Sequence, residues 1–219
     1  MSKQHKPTSL LAAIAILSCM PLAGPAQDSI DYRLLKGPGY QVFEDGVTPR
    51  ARVRCNYYKA SSNDTWDQSP GQVSIEYGLP AWKEQYDALF EKLPLGKRWR
   101  LGSNYWTYLS SSFPFEVAAK RVDAGYYYLV MEHTTDKVWS LIILKPADVT
   151  RLGLDPYHVN LRDSGEGIRV PLAWEKSEKL SDRLKITLKL RDENPKQMSI
   201  HIFFGRHHFT SPPLTASFE

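Results

Sequence analysis

A chain of 219 residues, 42% of them hydrophobic and only two of them cysteine, is long enough to bury a core without covalent staples. Its 28 basic and 24 acidic residues are spread along the chain, which excludes the basic stripe of a nucleic-acid binder and the polybasic patch of a membrane-surface protein. No internal repeat and no low-complexity tract interrupts it.

The first residues run charged, then apolar, then small: Lys3 and Lys6, an apolar run over 10–17, and Ala23-Gly24-Pro25-Ala26. This order predicts a secretory signal over 1–26, cleaved after Ala26 and too short to span a bilayer. Ile16-Leu17-Ser18-Cys19 offers a rival, since it resembles a lipobox apart from Leu17, where a small residue is usual. Lipidation at Cys19 would then anchor the chain, and it is the one route by which a membrane enters. Otherwise a periplasmic or extracellular location follows. Loss of Cys19 with the leader leaves Cys55 alone, so no internal disulfide forms. Losing Lys3 and Lys6 takes the formal charge from +4 to +2.

Residues 27–47 carry Gly37-Pro38-Gly39 and Asp45-Gly46 without a sustained period, and predict a loosely tied arm with an edge strand near 40–43. The main domain is expected over 48–213. Val53, Cys55 and Tyr57 alternate with polar neighbours, as do Val73, Ile75 and Tyr77, and each set predicts a half-buried strand. The period then changes. Trp82, Tyr86, Leu89, Phe90 and Leu93 lie on one face of a three-turn helix between Pro80 and Pro94, an aromatic stripe best explained as core.

Short β-rich runs follow at 105–109, 115–117, 125–131 and 138–144, separated by turn signals, and predict a meander. Residues 146–165 read as irregular, with a helical turn at 147–152. Strands are expected at 168–172, with Pro171 near an edge, at 184–190, at 198–204 and at 208–211, leaving 214–219 as a tail. The sum is an all-β antiparallel β-sandwich of nine or ten strands with one short amphipathic helix.

Several of these segments, in order, resemble the DUF2911 family of exported bacterial proteins. They are Ile75-Glu76-Tyr77-Gly78-Leu79-Pro80, Gly96-Lys97 before Trp99-Arg100, Gly102-Ser103-Asn104 with Thr107, Ala124-Gly125 with Tyr127 and Leu129, and Trp139 before Ile142-Ile143 with Lys145. The resemblance runs over about 49–212. It implies no defined activity, because the family has no assigned biochemical function. Tyr105, Leu79 and Leu144 depart from the family pattern, where an acid, an arginine and an asparagine are usual.

The stretch 95–107 concentrates two indoles, three cations and two glycines. Arg100 beside Trp99 could lie across an indole or fork onto a carboxylate, and Asn104 suits an Asx turn. Two readings stand open: a buried tie between strands, or a ligand-facing rim formed by Trp99, Arg100 and Asn104. The resemblance turns Tyr127 and Leu129 into the core, which puts Tyr126 and Tyr128 on the opposite face. There they are either covered by the helix stripe or half exposed. An exposed pair beside Trp106 and Tyr108 would make a stacking platform for sugars or other flat ligands.

His201, His207 and His208 invite a metal, but His207 and His208 point to opposite strand faces and no Cys or Glu completes a ligand spacing, so no metal and no cofactor is assigned. His133 and His158 read as isolated turn residues. Ser110-Ser111-Ser112 lacks the Gly-x-Ser-x-Gly frame of a nucleophile elbow, and the acids are scattered. The expectation is therefore an exported envelope β-sandwich that binds a small molecule, a glycan or a protein partner. The alternative is a hydrolase-like enzyme whose site is assembled from distant loops.

Overall fold

The structure is a computed structural model that describes residues 49–57, 71–92, 97–103, 105–135, 138–154 and 167–217. The expected leader, lipobox and arm, and with them Asn104 and His158, lie outside the described residues. Among the described residues, eleven strands and two short helices follow in the order β1 (Arg50–Tyr57), β2 (Gly71–Gly78), α1 (Gln85–Lys92), β3 (Lys97–Trp99), β4 (Thr107–Ser111), β5 (Phe115–Val117), β6 (Lys120–Val122), β7 (Gly125–Thr135), β8 (Val138–Leu144), α2 (Pro146–Leu152), β9 (Ile168–Arg191), β10 (Asn194–Thr210) and β11 (Leu214–Ala216).

The strands pair antiparallel into two sheets that share β9. The first has the order β1-β2-β4-β7-β8-β9 with β3 on β7, and the second β9-β10-β11-β5-β6. Alternation decides which face of each strand is buried: Val73, Ile75 and Tyr77 of β2 enter the core while Gln72, Ser74 and Glu76 face outward. One contiguous cluster draws Leu109, Leu129, Met131 and Leu141 from the first sheet and Ile186, Ile200, Ile202 and Phe209 from the second, the packing of a β-sandwich.

Four sequence expectations change. Residues 105–144 are no simple meander, because the β5–β6 hairpin crosses to the second sheet before the chain returns to pair β7 with β4. The runs 168–172 and 184–190 belong to one long strand, with Pro171 opposite Ser140 of β8 and lying before the pairing to β10 begins at Ala173. Residues 214–216 are a strand and not a tail, with Leu214 and Ala216 buried. The helical turn expected at 147–152 is a second helix, α2, with Pro146 in its first turn and Gly153 at φ 60° as its left-handed cap.

Helix α1 is shorter than its stripe because the residues before it are held in β geometry against β9. Trp82 N–H donates to Asp182 O at 2.7 Å, and Leu184 N–H donates to Pro80 O at 3.1 Å. Its aromatic face is core, as expected: Phe90 meets Trp99, Trp139 and Phe209, and Trp82 meets Phe204 edge-on at 4.9 Å.

Strand β10 folds back on itself at Gly205, whose φ of 63° suits glycine. Ser211 N–H donates to Ile200 O at 2.9 Å across the fold. Residues 207–210 pair with 173–176 of β9, whereas 198–203 pair with 185–190. A Cβ at Gly205 would stand 2.4 Å from the Trp82 ring, so the absent side chain also lets the indole close over the bend.

Candidate functional site

The outward face of the first sheet carries rows that run across the strands. Register places Arg52, Glu76, Tyr108, Tyr128 and Leu144 in one row, and Ser74, Ser110 and Tyr126 in the next. Along β7 the outward residues are Tyr126, Tyr128, Val130 and Glu132, because Tyr127, Leu129 and Met131 face the core. Helix α2 covers part of this face. Its Val149 joins Trp106, Val130, Ile142 and Leu144 in a second buried cluster, with Tyr108 and Tyr128 packed at the margin.

Beyond that margin the face is open. Arg52, Gln72, Ser74, Glu76, Tyr108, Ser110 and Tyr126 line a cleft of about 370 Å³. Tyr126 is 43% exposed, and its ring lies 5.1 Å from Tyr108 and 5.6 Å from Tyr128 between centroids. The floor is polar and the wall aromatic. Burial raises the Tyr126 phenol, and the neighbouring Tyr108 and Tyr128 phenols, a hydrogen bond with Tyr108 and the Glu76 carboxylate push the same way, so its hydroxyl remains a donor at any physiological pH.

At the charged end, Glu76 accepts from Arg50 Nε at 2.8 Å and from Arg52 Nη2 at 2.6 Å. The Arg52 hydrogen bond is the largest influence lowering its pKa, opposed in part by burial and helped by Arg50. Arg50 also donates to Trp106 O at 3.0 Å and sets its guanidinium carbon 5.2 Å from the Tyr108 ring centroid. Its Nη1 is buried without a hydrogen-bond partner among the described residues.

The residues expected at the site part company. Tyr126 and Tyr128 share the outward face with Trp106, 5.0 Å from Tyr128, but Trp106 is buried in the α2 cluster and is not part of an exposed platform. Helix α1 does not cover the tyrosines. Trp99 leaves the set altogether: it packs on the main core, stacked on Phe204 at 5.7 Å. Arg100 follows β3, partly buried, and Asn104 lies outside the described residues. The cleft residues missed from sequence, Arg52, Gln72, Ser74 and Ser110, alternate with core positions, and only strand register brings them together.

The family model described as "Protein of unknown function (DUF2911)" matches residues 61–208. The chain belongs to the DUF2911 family. No curated protein and no solved structure matches it. The matched segment is narrower than the resemblance over 49–212, leaving β1 and β11 outside it. In this DUF2911 chain the residues that carried the resemblance around 78–107 form a backbone clasp. A Cβ on Gly78 would lie 2.3 Å from Ser103 O, Gly102 sits at φ 137°, and Thr107 Oγ1 donates to Leu101 O. Leu101 is fully buried. The glycines at 78 and 102 let the two chain segments approach this closely.

Arg98, two positions before Arg100, makes a buried carboxylate pair. Its Nε meets Glu132 Oε2 at 3.0 Å with both side chains buried, and Arg169 Nη1 meets Glu132 Oε1 at 2.6 Å. Register explains the pair, since Arg98 of β3 stands opposite Glu132 of β7. Glu132 is thus a buried structural anion.

His133 is not a turn residue: it is buried in β7 with its ring 4.5 Å from Trp139. His207 and His208 do face opposite ways. His207 enters the core, where Trp174 Nε1–H donates to its Nδ1 at 3.1 Å, so its Nε2–H donates to Asp87 Oδ1 at 3.1 Å. That Asp-His pair resembles an acid–base relay, but both ring nitrogens are engaged and no lone pair remains to take a substrate proton. His208 points outward toward Glu175. Among the described residues no group of three or more His, Cys, Asp or Glu could hold a metal ion, and no helix is long and apolar enough to cross a membrane.

Proposed function

We propose that this DUF2911 protein is an exported binding module that takes a flat, hydroxyl-rich ligand, a glycan or sugar-like small molecule, in the Tyr108–Tyr126 cleft. The observation that carries this reading is the half-exposed Tyr126 ring above a floor of Gln72, Ser74 and Ser110. An aromatic face receives the C–H surface of a sugar ring, and the amide and hydroxyls supply paired donors and acceptors for its rim. Arg52 closes one end with an exposed guanidinium, able to meet a ligand carboxylate or ring hydroxyl while keeping Glu76 ionised.

The charged, apolar and small-residue order of 1–26 supports export, and lipidation at Cys19 is its anchored variant. A panel of neutral and acidic oligosaccharides, screened against the mature chain and its Tyr126→Ala variant, tests the binding reading. Saturable binding weakened at least about tenfold by the substitution, with the fold kept and the melting temperature lowered by only a few degrees, is the expected result. Capture of a protein partner with no glycan binding would point to the protein ligand instead, and equal binding by both chains would move the site elsewhere.

A further inference from the structure

The β1 side of the cleft carries a charge imbalance. Strand alternation turns Arg50, Arg52 and Arg54 to the outward face, because Ala51, Val53 and Cys55 pack against the main core. Across β1, β2 and β4 the one acid is Glu76, and it already meets Arg50 and Arg52. Arg54 is exposed and has no carboxylate partner among the described residues. Three guanidinium groups against one carboxylate leave these strands with a formal excess of positive charge.

Register sets where that charge lies. Arg54 pairs with Ser74, Ser74 with Ser110 and Ser110 with Tyr126, so this arginine heads the row whose far end is the half-exposed ring. Arg52 heads the neighbouring row, through Glu76 and Tyr108. From β1 to β7 is a distance of about 14 Å at the usual strand spacing. A ligand that stacks on Tyr126 and also reaches the arginines must therefore extend across the serine floor.

We propose, resting on the sugar-binding reading of the cleft, that its ligand is a uronic-acid oligosaccharide. One ring lies on Tyr126, ring hydroxyls cross Ser74 and Ser110, and carboxylates of the same chain meet Arg52 and Arg54. The Arg52 side chain is 62% exposed and meets Glu76 through Nη2, which leaves the rest of its planar fork open to a second carboxylate. Glu76 is itself offset by Arg50 at 2.8 Å, so a singly charged group can approach, whereas a doubly charged phosphate brings more repulsion toward the same carboxylate. A neutral glycan leaves Arg54 to water and draws nothing from it.

Calorimetric titration of the mature chain with trigalacturonate and with trimannuronate, each beside its methyl ester, tests the assignment, since the ester keeps the rings and linkages and removes the charge. At least one acid should bind about tenfold or more tightly than its ester, by a margin that shrinks as salt rises. Arg54→Gln breaks no ion pair described here and should cut that margin about threefold. Arg52→Gln should cut it at least about fivefold. The ratio of acid to ester affinity is a readout that a merely structural loss does not move. Equal affinity for acid and ester, with both lost in Tyr126→Ala, would overturn the acid and leave the sugar cleft standing. Preference for a sulfated neutral trimer over both acids would overturn the carboxylate in favour of a sulfate ester. No saturable binding of either acid would overturn the proposal as well, and silence across the whole oligosaccharide panel would remove the sugar-binding reading with it.

Discussion

The outward face of the first sheet is sealed at one end and open at the other, although one band of aromatic residues runs through both. At the sealed end Trp106 joins Val149 of α2 in a small second core, with Tyr128 packed against it. At the open end Tyr108 and Tyr126 meet serines, a glutamine and an arginine, and become the wall of a cleft. The side chains are alike. What differs is a seven-residue helix laid over one end, and it separates residues that hold the fold from residues free to hold something else.

Substitutions should divide along that boundary. The largest loss is expected beyond the sealed end, where Glu132→Ala removes the buried carboxylate that Arg98 and Arg169 both meet and should cost about 3–5 kcal/mol in chemical denaturation. Trp106→Ala should lose a comparable amount, about 3–5 kcal/mol, as a large buried aromatic ring is replaced by a cavity. A loss below about 1 kcal/mol at Trp106 would erase the distinction between the two ends.

Gly78→Ala should destabilise by about 1–3 kcal/mol, since the new methyl group must displace the backbone at Ser103. Tyr126→Ala should cost only about 0.5–1 kcal/mol, because much of its ring faces solvent. A smaller, pH-dependent effect belongs to Glu76. Its folded pKa lies below the ordinary value of 4.5, so its ion pairs stabilise fully above that value and are lost as pH falls through the lowered folded pKa. Thermal melts of wild type and Glu76→Gln should differ most near neutrality and converge in acid, and a constant gap would assign the pairing no share in stability.

Much of this architecture is legible in sequence because strand alternation is a local signal. Val73, Ile75 and Tyr77 announce their face without help, whereas Tyr127 and Leu129 take theirs from the family resemblance. The three-residue strands β3 and β6 are too short to show a period, and the passage of β5 and β6 to the other sheet leaves no local mark. Tyr126 and Tyr128 were legible as outward, yet their environments depend on α2, whose docking no spacing reveals. Trp99 leaves two readings open for a related reason: an indole flanked by cations suits a rim as well as a buried tie until α1 and β10 are seen to pack against it. Arg98 and Glu132 lie 34 positions apart, and His201 and His208 face each other only because β10 bends at Gly205.

The most direct test of the open end is nuclear magnetic resonance of the tyrosine rings during titration with an oligosaccharide that binds in the screen. The account predicts that Tyr126 and Tyr108 ring signals shift in proportion to occupancy while those of the core-facing Tyr77 and Tyr127 stay in place. Saturable binding that leaves Tyr126 and Tyr108 unmoved would contradict it.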